Sequence, residues 1–155
     1  MFKKSAKPFG LIAILFALAF NSLAQTRITG IQAKLFYQNS RKFSEDVFST
    51  QSDLWNVYLD YVYSIWITVE VTGKNDGKQF DTPQRVELFA RYQPFEGTAK
   101  EIIVRKTSPV WFDENGKANV GFWIDNVGCQ PMKLTLKIRG QKQILRKTIN
   151  FGCGE

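Results

Sequence analysis

Residues 65–72 read Ile-Trp-Ile-Thr-Val-Glu-Val-Thr, and this stretch decides the fold class. Every second residue is a β-branched apolar one, and most residues between them are polar or aromatic. A period of two is what a strand with one core-facing side requires, and β-branched side chains are enriched in strands. The stretch therefore predicts a β-strand with one buried face.

The same alternation occurs at 31–37 and 85–92, and further strands are predicted at 100–107, 118–125, 132–139 and 143–151. Residues that favour turns separate them, at Asn75-Asp76-Gly77, Pro94–Gly97, Asn115-Gly116 and Gly140. About seven short strands with turns between them predict an all-β protein, an antiparallel two-sheet sandwich. An immunoglobulin-like arrangement is the nearest architectural analogy.

The stretch 43–62 is ambiguous. Apolar residues at Leu54, Val57, Tyr58 and Tyr61 have helical spacing, and Ser52 is placed to cap a helix N-terminus. However, the Trp, Tyr, Val and Asn residues of this stretch are mediocre helix formers. One short helix near 52–61 and an irregular loop with aromatic anchors are both compatible with the sequence.

The first 24 residues have the three-part layout of a signal peptide. Three lysines precede a continuous apolar run at 9–20, and small residues at Ser22 and Ala24 precede Gln25. The run of 12 residues is shorter than the roughly 20 that cross a bilayer, which disfavours a membrane anchor. The pattern predicts cleavage between Ala24 and Gln25 and export to a periplasm or to the medium. No transmembrane segment is expected after removal of the signal.

Residues 25–155 have the length of one ordinary domain, and no linker or repeat divides them. The whole chain has 21 basic and 14 acidic residues, a formal charge of +7. Three basic residues and no acidic one lie in 1–24, so the mature domain has 18 basic against 14 acidic residues, or +4. This mild charge gives no indication of nucleic acid as a partner.

The chain has two cysteines, Cys129 and Cys153, both beyond the signal. In an exported protein a lone pair of cysteines is most often a disulfide. The two residues flank the predicted strands 132–139 and 143–151 symmetrically about Gln141, so a hairpin brings them to its open end. Core residues have even numbers in the first strand and odd numbers in the second, so residues that face each other have an odd sum, whereas 129 and 153 have an even sum. A disulfide between them therefore requires a bulge or a diagonal bridge.

No catalytic, metal or cofactor motif is present. The chain has no histidine, which removes the imidazole bases and the usual zinc ligands. The acidic pairs Glu45-Asp46 and Asp113-Glu114 are interpreted as solvated loop acids. Asp113 to Gly116 resembles the start of a calcium loop, but its twelfth position would be Ile124, so a hairpin turn is favoured.

The segment between Pro131 and Asn150 has no acidic residue and six basic ones, which form a candidate patch for an anionic partner: Lys133, Lys137, Arg139, Lys142, Arg146 and Lys147. Lys133, Lys137 and Arg139 are expected on the outward face of one strand. The alternative is that these residues only keep a sheet face solvated and protect an edge strand from pairing.

Aromatic residues supply a second candidate surface, formed by Trp66, Trp111, Phe112 and Trp123. Trp66 and Trp123 lie out of phase with the core residues of their strands. Trp111 and Phe112 follow Pro109 and precede a turn, so they are expected to be the most exposed pair. The alternative is burial of both strand faces, by the second sheet and by 43–62.

The sequence therefore favours an exported, non-enzymatic β-sandwich that binds a protein or a cell-envelope component, which is expected to be anionic if the basic residues make the contact. A carbohydrate-binding module that uses exposed aromatics is an alternative. A small carboxylate-dependent hydrolase is a second alternative, which requires two carboxylates to converge in a cleft.

Overall fold

The computed structural model describes residues 25–49, 62–75, 77–93, 100–127 and 130–151. Within these ranges the secondary structure consists of eight strands and one 3₁₀ turn. The 3₁₀ turn is Lys78–Phe80. The strands are β1 (Arg27–Tyr37), β2 (Lys42–Phe43), β3 (Val62–Thr72), β4 (Arg85–Tyr92), β5 (Ile102–Pro109), β6 (Lys117–Asp125), β7 (Met132–Ile138) and β8 (Ile144–Ile149).

The strands form two antiparallel sheets of four. Sheet A has the order β2-β1-β3-β6, and sheet B has the order β5-β4-β7-β8. Apolar side chains from both sheets meet in one buried cluster. The predicted two-sheet β-sandwich is therefore confirmed.

The core contains the residues that the period of two selects. In β3 the side chains of Ile65, Ile67, Val69 and Val71 are at most 1% exposed. Burial of an isoleucine or valine side chain contributes about 1.5–3 kcal/mol, so this strand alone supplies a large share of the driving force. In β4 every second residue is likewise buried, here the even-numbered ones from Val86 to Tyr92.

Strand β1 begins four residues earlier than the predicted alternation. A register shift between Ile28 and Gly30 changes the phase of the strand, so that Ile28 is buried along with Ala33 and Leu35. A bulge of this kind adds one residue to one strand and breaks a strict period of two. The sequence pattern therefore reveals only the part of β1 beyond the bulge.

Strands β7 and β8 form the predicted hairpin. Met132 pairs with Ile149 and Leu136 with Leu145, so even-numbered residues face odd-numbered ones as predicted. Gly140, in the connection, has a φ of 79°, which glycine adopts without strain. Cys129 and Cys153 lie outside the described residues, so their disulfide stays a prediction.

The candidate signal at 1–24 and the candidate helix near 52–61 also lie outside the described residues. Within the part of the chain that the structure describes, no helix is long and apolar enough to cross a membrane.

The residues from Asp113 to Gly116 form the expected turn before β6. The Asp113 carboxylate accepts hydrogen bonds from the backbone N–H groups of Asn115 (2.9 Å) and Lys117 (2.8 Å). Gly116 has a φ of 69°, and a Cβ there would lie 2.2 Å from the Gly73 carbonyl oxygen. Glycine is therefore needed at this position for both reasons.

Candidate functional site

The outer face of sheet B carries most of the basic residues of interest. In β4 the residues that alternate with the core are Arg85, Glu87, Phe89 and Arg91, and the strand pairing places β5 on one side of them and β7 on the other. We define the basic face by its seven basic side chains, which come from β4, β5, β7, β8 and the residue after β7: Arg85, Arg91, Arg105, Lys133, Lys137, Arg139 and Arg146.

Glu87 is the one acidic residue among the outward-facing positions within the four strands of sheet B, and Glu101 directly precedes β5. Its carboxylate lies 3.0 Å from Lys137 Nζ and 2.6 Å from Arg139 Nε. Hydrogen bonds from Arg139 and Lys137 hold the pKa of Glu87 below its ordinary value. Glu87 therefore stays ionised and neutralises part of the charge of these two neighbours.

Phe89 lies in the middle of the basic face. Arg105 Cζ is 5.5 Å and Lys137 Nζ 5.4 Å from the centroid of its ring. Both distances are within the range of cation–π attraction. The ring thus holds two long basic side chains over the sheet, which lowers the entropy lost when they contact a partner.

The other basic residues of this face have no acidic neighbour. Among the described residues, no carboxylate lies within 4.0 Å of Arg85, Arg91, Arg105, Lys133 or Arg146, because both ion pairs of the described part involve Glu87. Like charges gathered on one sheet face repel one another and attract anions. The basic face therefore has an excess of positive charge that the described residues do not neutralise.

The structure redistributes the predicted basic patch. Lys133, Lys137, Arg139 and Arg146 project from the basic face, whereas Lys142 lies in the connection between β7 and β8. The prediction that Lys147 belongs to the patch is wrong. It pairs with the core residue Leu134, so its side chain lies on the inner side of β8 and not on the basic face. Its Nζ lies 5.5 Å from the ring centroid of Phe48.

Three members of the basic face, Arg85, Arg91 and Arg105, are absent from the predicted patch. They lie on β4 and β5, which are distant from the β7–β8 hairpin in sequence. Their only signal in the sequence is that Arg85 and Arg91 alternate with core residues and so face outward. Which strand lies beside β4 is not readable from that pattern.

The outer face of sheet A carries an aromatic cluster, which we define as Phe36, Phe43, Trp66 and Trp123. Trp123 is central, with ring centroids 5.7 Å from Phe36, 6.2 Å from Phe43 and 6.1 Å from Trp66. The rings are tilted at 50° to 88° to Trp123, an arrangement typical of aromatic packing. Phe36 and Phe43 were not part of the predicted surface, because only tertiary pairing places them beside Trp123.

Two features fix the rings of the aromatic cluster. The Asp125 carboxylate accepts hydrogen bonds from Trp123 Nε1 and, at 2.9 Å, from Ser64 Oγ. The Trp66 ring lies on the backbone of β6, since a Cβ on Gly121 would be only 2.2 Å from Trp66 Cζ2. Beside Trp123 is an open depression of about 360 Å³, lined by Phe36, Gln38, Ser64 and Trp123.

Trp111 and Phe112 do not join this cluster. Trp111 is 48% exposed and stacks on Phe80 at a centroid distance of 5.4 Å. It follows the C-terminal end of β5, which is the end remote from Trp123. The prediction that Phe112 is exposed is wrong, because it is a core residue that is only 7% exposed. The Gln79 amide accepts a hydrogen bond from the Phe112 N–H (2.6 Å) and donates one to its carbonyl (3.2 Å), which fixes this residue beside Gly73.

The candidate acidic residues have structural contacts. Asp46 Oδ1 accepts hydrogen bonds from the backbone N–H groups of Ala33 (2.9 Å) and Phe48 (3.2 Å), and Asp113 stabilises its own turn. Over the described ranges, no group of three or more cysteine, histidine, aspartate or glutamate side chains is placed to hold a metal ion.

No protein-family model matches this chain, and no curated protein matches it. The geometry of the two outer faces therefore provides the basis for a functional proposal.

Proposed function

We propose that this protein is an exported binding module that attaches through the basic face to an anionic component of the cell envelope. The observation that carries the proposal is the charge of this face, seven basic residues with one carboxylate among them. Five of the seven have no carboxylate within 4.0 Å in the described part of the chain. An anionic partner would supply the missing counter-charges.

The basic residues come from all four strands of sheet B, which supports an extended partner surface over a small ligand. Each lysine or arginine near an anionic surface contributes about 1 kcal/mol. Five such residues give about 5 kcal/mol, which corresponds to a dissociation constant somewhat below 1 mM. This estimate fits a weak attachment that increases strongly when several copies act together.

The strand order supports an immunoglobulin-like arrangement as part of the proposal. In that architecture the first, second, fourth and fifth strands form one sheet, and the third, sixth and seventh form the other. The strand β5, fourth when β2 is not counted, departs from this pattern because it lies beside β4 in sheet B. If β2 is left out of the count, β1, β3 and β6 share sheet A and β4, β7 and β8 share sheet B. Such sandwiches are common in cell-surface domains.

Export is the second part of the proposal, and it rests on the layout of residues 1–24 and on the cysteine pair. Mass spectrometry of the protein from an envelope fraction should show a chain that begins at Gln25. A chain that retains Met1 in this fraction would contradict cleavage.

The binding test uses the full mature protein and sedimentation with lipid vesicles. Vesicles that contain phosphatidylglycerol should bind the protein, and neutral phosphatidylcholine vesicles should not. The variant Arg91→Gln/Lys133→Gln/Arg146→Gln should lose at least about tenfold in affinity, because three unpaired charges contribute about 1 kcal/mol each. Its control, Arg27→Gln/Lys42→Gln/Lys74→Gln, changes the net charge equally but lies outside the basic face.

A second arm of this test replaces vesicles with a soluble acidic polysaccharide. Binding in either arm that depends on the basic face supports an anionic envelope component, and the stronger arm identifies its class. Glu87→Gln should strengthen binding, whereas Glu70→Gln on the outer face of sheet A should not. Equal losses for the two triple variants would refute the proposal.

A carbohydrate-binding function is a second candidate, favoured by the depression beside Trp123 with Gln38 and Ser64 in its lining. Amide and hydroxyl groups beside an aromatic ring are the chemistry that recognises a sugar. However, the mutual tilts of the rings give no flat platform. Quenching of tryptophan fluorescence by neutral oligosaccharides, abolished in Trp123→Ala, would support this candidate. The hydrolase alternative has no supporting carboxylate pair in the lining of this depression.

A further inference from the structure

The four edges of the two sheets are not equally protected. Edge strands expose unpaired backbone groups, and proteins protect them by shortness, proline, bulges or inward-pointing charges. Strand β2 has two residues. Strand β5 has Lys106 on its inner side and ends at Pro109, and β8 has Lys147 on its inner side.

Strand β6 has none of these protections. It has nine residues without proline, it pairs with β3 over nine consecutive positions without a register shift, and its charged residues are confined to its ends, Lys117 and Asp125. Within the described part of the chain β3 is its only neighbour in the sheet. Among the described residues it is therefore a long and regular edge strand, whose outward backbone groups at Asn119, Gly121 and Trp123 pair with no other strand of the sheet.

The direction of the backbone groups of β6 follows from its ends. The Lys117 N–H donates to the Asp113 side chain and the Lys117 carbonyl accepts from the Asp113 N–H, so both groups point away from β3. Because backbone direction alternates along a strand, those of Asn119, Gly121 and Trp123 also point away. The hydroxyl of Tyr92, which donates to the Asp125 carbonyl at 3.1 Å, agrees with this phase.

We propose that β6 pairs with β6 of a second copy of this chain, antiparallel and around a two-fold axis at Gly121. The three outward N–H groups and three outward carbonyls of each copy then make six hydrogen bonds across the axis. The two sheets A become one continuous sheet of eight strands. This is an isologous interface, in which the same residues are used by both copies.

The charged ends of β6 specify this register. With Gly121 on the axis, Lys117 lies opposite Asp125 of the partner subunit, and the reciprocal pair forms at the other end. The same register places core-facing residues opposite core-facing residues, for example Val120 opposite Phe122 of the partner subunit. Any other antiparallel register would lose both ion pairs, because the two are related by the axis, and would shorten the overlap.

The aromatic cluster adds an apolar contribution at the axis. The Trp66 ring lies on the backbone of Gly121, where a side chain would collide with it. Trp66 is 38% exposed, although it is a large aromatic residue. In the proposed dimer the two Trp66 rings lie near the axis and cover one another, which removes apolar surface from water.

The test is the mass of the mature protein in solution, measured by light scattering and sedimentation over a dilution series. The protein should form a dimer that dissociates on dilution. Asn119→Pro removes an outward N–H in each copy and leaves the ladder with β3 intact, so the dissociation constant should rise at least about 100-fold. Asn119→Thr retains the N–H and is the matched control.

Lys117→Glu is a second variant, chosen because an exposed strand end tolerates it in the monomer. It places two carboxylates opposite each other at both ends of the interface, so the dissociation constant should rise at least about tenfold at low salt and less at high salt. A wild-type monomer at all concentrations would overturn the proposal. A dimer that neither Asn119→Pro nor Lys117→Glu weakens would also overturn it, since such a dimer uses another surface. Binding of a foreign peptide to this edge without self-association would overturn it as well.

Discussion

At the residue scale, Glu87 is the position where stability and function oppose each other. Its carboxylate holds Lys137 and Arg139 in place, but it also reduces the positive charge of the basic face. Surface ion pairs contribute between 0 and about 1 kcal/mol each. Selection for a more positive face would therefore have a small cost in stability.

Glu87 also gives a prediction about pH. Because its pKa is lowered in the fold, its ionised form stabilises the protein above the ordinary carboxyl pKa, and this contribution disappears as the pH falls through the lowered pKa. Wild type should exceed Glu87→Gln in the free energy of unfolding by at most about 1 kcal/mol at neutral pH. The difference should vanish in acid. Urea unfolding across pH checks it, and a difference independent of pH would contradict the ion-pair explanation.

Gly121 is the second informative residue. A Cβ at this position would lie 2.2 Å from the Trp66 ring, so Gly121→Ala should displace the ring and destabilise the fold by about 1–3 kcal/mol. Thermal unfolding and tryptophan fluorescence measure the two effects. In a Trp66→Ala background the same substitution should be neutral or stabilising, because the obstacle is gone. An equal loss in both backgrounds would show that Trp66 is not the cause.

At the scale of elements, the β7–β8 hairpin is the unit that the sequence describes most fully. Its pairing of even-numbered with odd-numbered residues follows from two short apolar patterns and one glycine. Strand β6 is a contrasting element. Its pattern predicts a half-buried strand, but its position at an edge depends on β3, and no local feature of β6 encodes that position.

The predicted disulfide between Cys129 and Cys153 belongs to this scale. Closure of a loop of about 25 residues should stabilise the protein by about 3–4 kcal/mol in the chain-entropy model. The variant Cys129→Ser/Cys153→Ser should show this loss in chemical unfolding without reductant, and reduced wild type should match the variant. Two free thiols in the non-reduced mature protein would contradict the pairing.

At the scale of the whole molecule, the proposed dimer and the proposed function are coupled. A two-fold axis perpendicular to sheet A directs both basic faces to the same side of the dimer. Two linked faces bind an extended anionic surface more strongly than one, by a factor of 10² or more when the geometry permits both contacts. The dimer would thus compensate for the modest charge of each copy.

This coupling predicts that Asn119→Pro weakens binding to anionic vesicles although it lies on the opposite sheet from the basic face. The apparent affinity should fall by about 100-fold or more at protein concentrations where wild type is dimeric. Vesicle sedimentation at matched protein concentrations measures this change, with Asn119→Thr as the control. Unchanged binding by a proven monomer would separate the two proposals and leave the basic face as a site that acts alone.

The sequence by itself determined seven of the eight described strands and most of their core and outward positions, because a period of two is a local property of the chain. It also revealed Trp66 and Trp123 as outward residues and Lys133, Lys137 and Arg139 as one stripe. Only the tertiary structure decided which outward residues are neighbours. It joined Arg85, Arg91 and Arg105 to that stripe, buried Phe112, and left β6 at an edge. The physical reason is that strand pairing is a contact between distant segments, and alternation within a strand does not specify its partner.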